Sequence, residues 1–589
     1  MKMGLVGMTG AEPSLLAWQV ALDRAGTPHE VLALQDRDGR ARLTSAMRRG
    51  GFQALIIAGA EIIETALSTS ERAELEALER ARGTRRLLAY AYPGPTHGLR
   101  PAFWAGPLDG LRVSLTPRGR RVFPYLHGTL EFDAGSWGYL AAPISAGSFE
   151  TLLAAPDGSP LLGLYRHRDG RETMVQTFAA NASQSHALLL RFGQLAWVSG
   201  GSYLGFERNY LPVHIDDVLL ANHSWNVATH RTDDDPRATI RMTAADVARA
   251  AGWSRARRLR LDMVCNGGGS ERYRAAAGLT ADPVLDALLD ERSTFGWINH
   301  TYSHGNLDKA SRTTIEAEIE GNVRWAQRAG IELEPGALVT GEHSGLANLE
   351  ATPRRPENPE LPSALRAQRV RYIACDASRP YPVCEVGRGA DLLPPGMPFV
   401  VGPALAIPRH PTALPFDSAT RSQAVDRWRS HRRTEPAPTW EEVLASEAAR
   451  IFVAMLANDP CPHYFHQSNL VSSLDGETPE GALLYELLDA VLQRYESAVH
   501  DMPIVQPRFG EVGELLRDRT AWRAARAAGA VVAYREAAGV RIANDSGAAL
   551  RVPLTGTVAG GRYGVTRSGW ILAEPGETLV ALETGSAAA

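Results

Sequence analysis

Leu211-Pro-Val-His-Ile-Asp216-Asp217-Val218 is an apolar run that closes on two adjacent carboxylates. A short apolar run bounded in this way reads as a buried strand. The construction recurs down the chain, with candidate strands at Arg260–Asn266, Phe295–His304, Ala337–His343, Arg371–Asp376, Phe399–Arg409 and Cys461–His466, each ending in polar residues. Helical text lies between several of them, notably Thr314–Ala329, Trp440–Ala457 and Ala482–Val499. Strands alternating with helices predict a parallel sheet. Seven such units predict a parallel barrel, whose chemistry sits where the strands end at the C-terminal face.

Working outward, residues 1–100 also alternate strand and helix, as in Met3–Val6, Pro13–Ala25, His29–Leu34, Phe52–Ala58, Ser70–Ala81 and Arg86–Tyr92. That text predicts a doubly wound, flavodoxin-like sheet. Residues 100–200 turn β-rich: Arg112–Leu115, Arg121–Leu126 and Thr129–Phe132 alternate like hairpin strands, and Ala187–Trp197 reads as a helix. The last stretch, 530–589, is short strands between Gly, Asp and Ser turns, the spacing of a small β-sandwich. Pro353–Pro362 and Arg421–Pro438 read as loops. The predicted class is α/β: a barrel over 203–509, an N-terminal α/β domain over 1–200 with a β-rich part near 100–150, and a C-terminal sandwich over 530–589.

Composition narrows the function. The chain has 589 residues with 62 basic and 66 acidic side chains, a formal charge of −4, so no basic footprint argues for nucleic acid. No apolar stretch is long enough to span a membrane. The start, Met1-Lys2-Met3-Gly4-Leu5-Val6-Gly7, lacks the apolar core of a secretory signal, which on a literal reading places the protein in the cytoplasm. Lys2 and Lys309 are the only lysines, and neither follows a glycine-rich phosphate loop. There is no Gly-x-Ser-x-Gly elbow and no Gly-x-Gly-x-x-Gly. Kinase, P-loop, pyridoxal and serine-hydrolase readings are therefore weak. Cys265, Cys375, Cys384 and Cys461 form no Cys-x-x-Cys pair. Cys375 and Cys384 flank a Pro-rich loop, leaving open a disulfide or two buried thiols.

The candidate chemistry lies at strand ends. Adjacent Asp216 and Asp217 repel unless something positive holds them. Asp233-Asp-Asp235 offers the bland comparison, an acidic run with no apolar strand before it. Phe295-Gly-Trp-Ile-Asn-His300-Thr-Tyr-Ser-His304 carries the one pair of histidines four apart, a spacing that suits one metal ion. One Asp and two His make a ligand set with open positions, as catalytic metals need. In Cys461-Pro-His463-Tyr-Phe-His466-Gln-Ser-Asn469, alternation puts His466 and Tyr464 on one face and His463 elsewhere.

These three motifs, in this order, resemble the polysaccharide deacetylase (NodB-homology) superfamily. Asn266-Gly-Gly, Gly296-Trp-Ile-Asn-His-Thr-Tyr-Ser-His304, Gly341-Glu-His-Ser-Gly345 and Phe465-His-Gln-Ser-Asn469 are similar to carbohydrate esterase family 18, the galactosaminogalactan deacetylases and their bacterial relatives. The resemblance implies a deformed (β/α)7-type barrel, with Asp216 as base, Asp217, His300 and His304 as metal ligands and His466 as acid. The ion would be one divalent metal, zinc first, with cobalt, nickel or manganese as alternatives. The superfamily's third motif usually supplies an Arg that steadies the base; here the equivalent strand ends in Glu342-His343, and Arg409 is the candidate replacement. His343, Glu342, Asn266 and Tyr302 are candidate supporting or substrate-binding residues.

The resemblance further implies an N-deacetylase for an acetylated hexosamine polysaccharide, N-acetylgalactosamine-containing first, at an extracellular or cell-surface location. Trp104 and Trp137 would then stack on sugar rings. The alternatives are a metal amidase for a small amide or imide, and a non-catalytic sugar-binding protein; the intact five site residues speak against the latter.

Overall fold

The structure is a computed structural model. It describes residues 1–583 except 236, 352, 383–391, 433–435, 437 and 473–480. The reading of Cys375 with Cys384 lies outside the described residues.

The centre is a closed ring of seven parallel strands: β1 (Val213–Asp216), β2 (Leu261–Cys265), β3 (Gly296–Asn299), β4 (Ala337–Leu338), β5 (Tyr372–Asp376), β6 (Ala404–Pro411) and β7 (His463–His466). Each pairs with its neighbour in chain order, and β7 closes on β1. Phe399–Val401, read with β6 as one strand, folds back antiparallel on it as a separate piece. The barrel strands are buried on both faces, as their nearly unbroken apolar text requires. Helices cover the ring, with ends marked by ordinary signals. Thr439 and Glu442 form a reciprocal cap ahead of Trp440–Leu456, and Gly330 closes Arg312–Ala329 in the left-handed conformation.

The two halves of residues 1–200 share one nine-stranded sheet. Its parallel half runs His29–Ala33, Met3–Gly7, Ala54–Ile57, Arg85–Leu88, and Glu172–Gln176 extends it into an antiparallel half. Arg121–Leu126 is not a strand. Pro117–Val122 is a short helix, because Thr116 accepts from the Gly119 N–H and Pro117 sits where a helix tolerates it. Residues 421–432, read as loop, are also a helix. Their arginines hide the apolar period, but Thr420 and Gln423 satisfy each other's backbone N–H groups at its start.

The C-terminal sandwich packs a three-stranded against a four-stranded sheet, and borrows Tyr203–Leu204 as an edge strand. The three parts are tied by buried polar contacts. Arg191 pairs with Glu207 and reaches the Leu456 carbonyl, and Arg208 donates to the Ser568 hydroxyl and carbonyl of the sandwich at 2.8 and 2.7 Å.

Candidate active site

Five of the ten non-glycine residues with positive φ among the described residues crowd the C-terminal ends of β1, β3 and β4: Asp217, Thr301, His304, Glu342 and His343. Strain of this kind costs about 1–3 kcal/mol per residue and persists where a site demands a particular aim. Here it turns both carboxylates of the first motif and both histidines of the second into one pocket. Asn266, fully buried, donates to the His300 and Thr301 carbonyls and so holds this turn. Gly341 backs His304: a Cβ there would lie 2.7 Å from the imidazole Cε1. Any larger residue would push the ring out of place.

Asp217, His300 and His304 bring their donor atoms together within 4.8 Å. Asp217 Oδ1 lies 3.3 Å from Nε2 of each histidine. His300 Nδ1 is 2.9 Å from the Val339 carbonyl, so it carries the proton and leaves Nε2 as a lone pair. Asp217 Oδ1 is buried with no hydrogen-bond donor of its own. Lone pairs converging on one point need a proton or a cation between them. The residues present therefore fit a divalent metal, and a carboxylate with two imidazoles is a zinc-type donor set. Burial alone would raise the Asp217 carboxyl, but His300 and His304 override it and hold it well below the usual carboxylate range. His300 is drawn upward despite burial, chiefly by Asp217.

The other oxygen of Asp217 accepts from Asn222 Nδ2 at 2.8 Å, and Asn222 Oδ1 accepts in turn from Gln467 Nε2 at 2.6 Å. Gln467 follows His466, so this chain couples the start of the site to β7. Outer partners of metal ligands typically matter about 10–100-fold in affinity. Asn222→Ala is accordingly expected to weaken zinc binding by about that factor, measured by competition with a chromophoric chelator; unchanged affinity would remove Asn222 from the site.

Asp216 faces a different partner. Arg409 Nη1 and Nη2 bond its two oxygens at 2.7 and 2.9 Å, a two-pronged, fully buried pair. The guanidinium lies over the Tyr464 ring at 4.5 Å and also donates to His343 Nε2 at 3.1 Å. Burial would raise the Asp216 carboxyl; Arg409 overrides that and keeps it far below its ordinary range. Burial and the same cation hold His343 neutral, as the acceptor role requires. The positive group that two adjacent aspartates demand is thus Arg409, supplied by β6.

His466 stands opposite Asp216 in the β1–β7 register, against Phe416 and Tyr464. Its Nδ1 is buried without a partner. Burial lowers this imidazole below its ordinary value, with Asp217 and Asp216 pulling the other way. An imidazole that prefers to be neutral gives up a proton readily.

Three further candidates surround this centre without joining the ligand set, and the charge of Glu342 acts on His304. The Glu342 side chain is 65% exposed and nearest Arg355, at 4.0 Å. The Tyr302 hydroxyl is engaged by Glu271. Asn266 spends its amide N–H group on the backbone of the His300 turn and is fully buried, so it positions that turn. The residues that sequence reasoning missed are Asn222 and Gln467, two amides 245 positions apart with no motif to join them.

Residues 272–527 match the family model of the Agd3 deacetylase domain. The match takes in His300, His304, His343, Arg409 and His466 and begins after Asp216 and Asp217. No curated protein sequence matches the chain. Among solved structures, that of Agd3, a carbohydrate deacetylase, superposes with a TM-score of 0.79 at 17% identity, over 99% of this chain and 98% of that one. The shared fold therefore includes both accessory parts. The Bc1960 peptidoglycan N-acetylglucosamine deacetylase covers 51% of this chain and 88% of its own, at 11% identity and a TM-score of 0.22. The 4-α-glucanotransferase of Thermococcus litoralis covers 52% of this chain and 40% of its own, at 12% identity and 0.29. Both are too loose a likeness to bear on the site.

Proposed function

We propose that this chain, whose residues 272–527 form an Agd3-type deacetylase domain, is a metal-dependent hydrolase that removes N-acetyl groups from a hexosamine polysaccharide. N-acetylgalactosamine is the favoured acetylated sugar. The single observation behind the mechanism is the convergence of Asp217 Oδ1, His300 Nε2 and His304 Nε2 beside an Asp216 that Arg409 keeps ionised.

A divalent ion held by Asp217, His300 and His304 would polarise the acetyl carbonyl and acidify a water molecule. Asp216 takes the proton of that water as its oxygen attacks the carbonyl carbon. Each Asp216 oxygen spends one lone pair on Arg409 and keeps another for this proton. His466, on the neighbouring strand at the same level, gives its proton to the amide nitrogen as the C–N bond breaks, since an amide anion is too poor a leaving group. The Asn222–Gln467 link fixes the ligand carboxylate and the acid relative to each other. The products are acetate and a free amine on the polymer.

The substrate is tested by acetate release from a partly N-acetylated galactosaminan, from chitin oligomers and from a small acetanilide. The reading expects the galactosaminan to be preferred. A preference for the small amide would replace it with the amidase alternative.

The accessory aromatics support a polymer, with one refinement. Trp104–Pro107 and Trp137–Leu140 form a two-stranded ribbon in which Trp104 pairs with Leu140 and Trp137 with Pro107. Cross-strand partners share a face and alternate along the strand. Trp137 and Trp104 therefore lie on opposite faces, and a single sugar chain does not stack on both. Trp137, 47% exposed, shares its face with Tyr139, which packs against Tyr90 and Tyr92. Trp137→Ala should raise KM for polymer more than for a trimer, whereas Trp104→Ala should do less. Equal effects of the two changes on both substrates would dismiss the platform.

A further inference from the structure

We propose that His410, Asp459 and Cys461 form a second divalent-metal site of the zinc class, on the outer wall of the barrel behind the catalytic pocket. Their donor atoms all lie within 4.8 Å of one another, and among the described residues only the Asp217 cluster gathers in the same way. Asp459 Oδ2 stands 2.9 Å from His410 Nε2, and Oδ1 accepts the Cys461 N–H at 3.0 Å. Imidazole, carboxylate and thiolate together select zinc over magnesium or calcium. All three residues line a cavity of about 510 Å³ between the barrel, the helix Phe509–Ala527 and the end of the helix Pro13–Ala25. Three protein donors leave the fourth position of a tetrahedral ion facing that cavity.

The placement follows from strand alternation. Arg409 enters the catalytic pocket, so its neighbour His410 faces the other way. Cys461 lies just ahead of β7, the strand that carries His466. The β6–β7 seam has only two register pairs, His410 with His463 and Pro411 with Tyr464. An ion here would fasten the two strands that present Arg409 and His466.

Charge permits it. Arg24, Arg519, Arg523 and Arg526 face the same cavity. Exchanging the thiol proton for a dication adds one positive charge to the site, and Asp23, which lines the same cavity 3.7 Å from Arg526, offsets part of the arginine field. Binding breaks the Cys461 S–H bond, forms the sulfur–metal bond and sends that proton to solvent; the proton that His410 Nε2 shares with Asp459 must also leave Nε2, by a change of tautomer to Nδ1, before that nitrogen can bind the ion.

The proposal does not depend on the deacetylase reading, and its test is arranged accordingly. The full-length double variant Asp217→Asn, His300→Ala removes the first site. It should still bind one zinc ion per chain by elemental analysis. Loaded with cobalt, it should show thiolate-to-metal charge-transfer absorption in the near ultraviolet. Adding Cys461→Ser should abolish both the absorption and the bound ion. Should that variant not fold, His410→Gln, on the cavity side, should do the same. A double variant that binds no ion overturns the proposal. So does a cobalt spectrum without a thiolate band, or a band that survives Cys461→Ser and must come from Cys265, Cys375 or Cys384.

Discussion

Asp217→Asn is expected to cost the protein both its catalytic metal and its turnover. Asp217 Oδ1 is the point on which His300 and His304 converge, and its other oxygen is already held by Asn222. An amide in place of the carboxylate removes the one anionic donor. It also puts either a carbonyl dipole or an N–H against two imidazole nitrogens. If outer partners of such ligands are worth about 10–100-fold, a direct anionic ligand should be worth more than about 100-fold in affinity. Rate should fall with occupancy and recover in part at high zinc. Equilibrium dialysis beside acetate release checks this. Normal metal content with lost activity would make Asp217 something other than a ligand.

Asp216→Asn should separate from it cleanly. Asp216 touches Arg409, not the histidine pair, so metal content should stay normal while the rate falls about 10²–10⁴-fold, the usual loss on removing a general base. The change also takes the charge away from a fully buried guanidinium. Breaking a buried ion pair on one side costs up to about 3–5 kcal/mol, less where the replacement still accepts a hydrogen bond, as asparagine does. A lowered melting temperature is therefore expected, and Arg409→Lys should show a similar loss, because lysine cannot span both oxygens. His466→Gln should keep both metal and fold and remove the alkaline limb of the pH–rate profile, since a general acid must be protonated to act. Turnover near normal in that variant would leave Asp216 to handle both protons.

The site was legible to the extent that its parts are local. Asp216-Asp217 and His300…His304 are each set by a few residues on one strand end, and their spacing together with that shared placement suggested a metal site. Arg409 was within reach for a different reason: the resemblance implies an Arg that steadies the base, the third-motif strand lacks one, and Arg409 is the nearest replacement. The amides were not legible. Asn222 sits in no recognisable pattern, Gln467 lies in the Phe465–Asn469 motif with no role marked for it, and the two meet only when β7 closes the ring against β1. A short left-handed turn at the end of β4 buries His343 and leaves the Glu342 side chain largely exposed, a difference between neighbours that the sequence does not show. The tryptophan ribbon illustrates the same limit: exposure could be guessed, but which face each ring occupies depends on a register that no composition reveals.

The central claim is that one bound divalent ion at Asp217, His300 and His304 is required for amide hydrolysis. Its most direct test is a zinc titration of chelator-stripped wild-type protein, with acetate release from a partly N-acetylated galactosaminan followed at each point. The account predicts negligible release from the stripped protein, a rise that saturates when the catalytic site fills, and no rise in His300→Ala over the same range. Full activity in stripped protein shown to be metal-free, or an unchanged titration in His300→Ala, would contradict it.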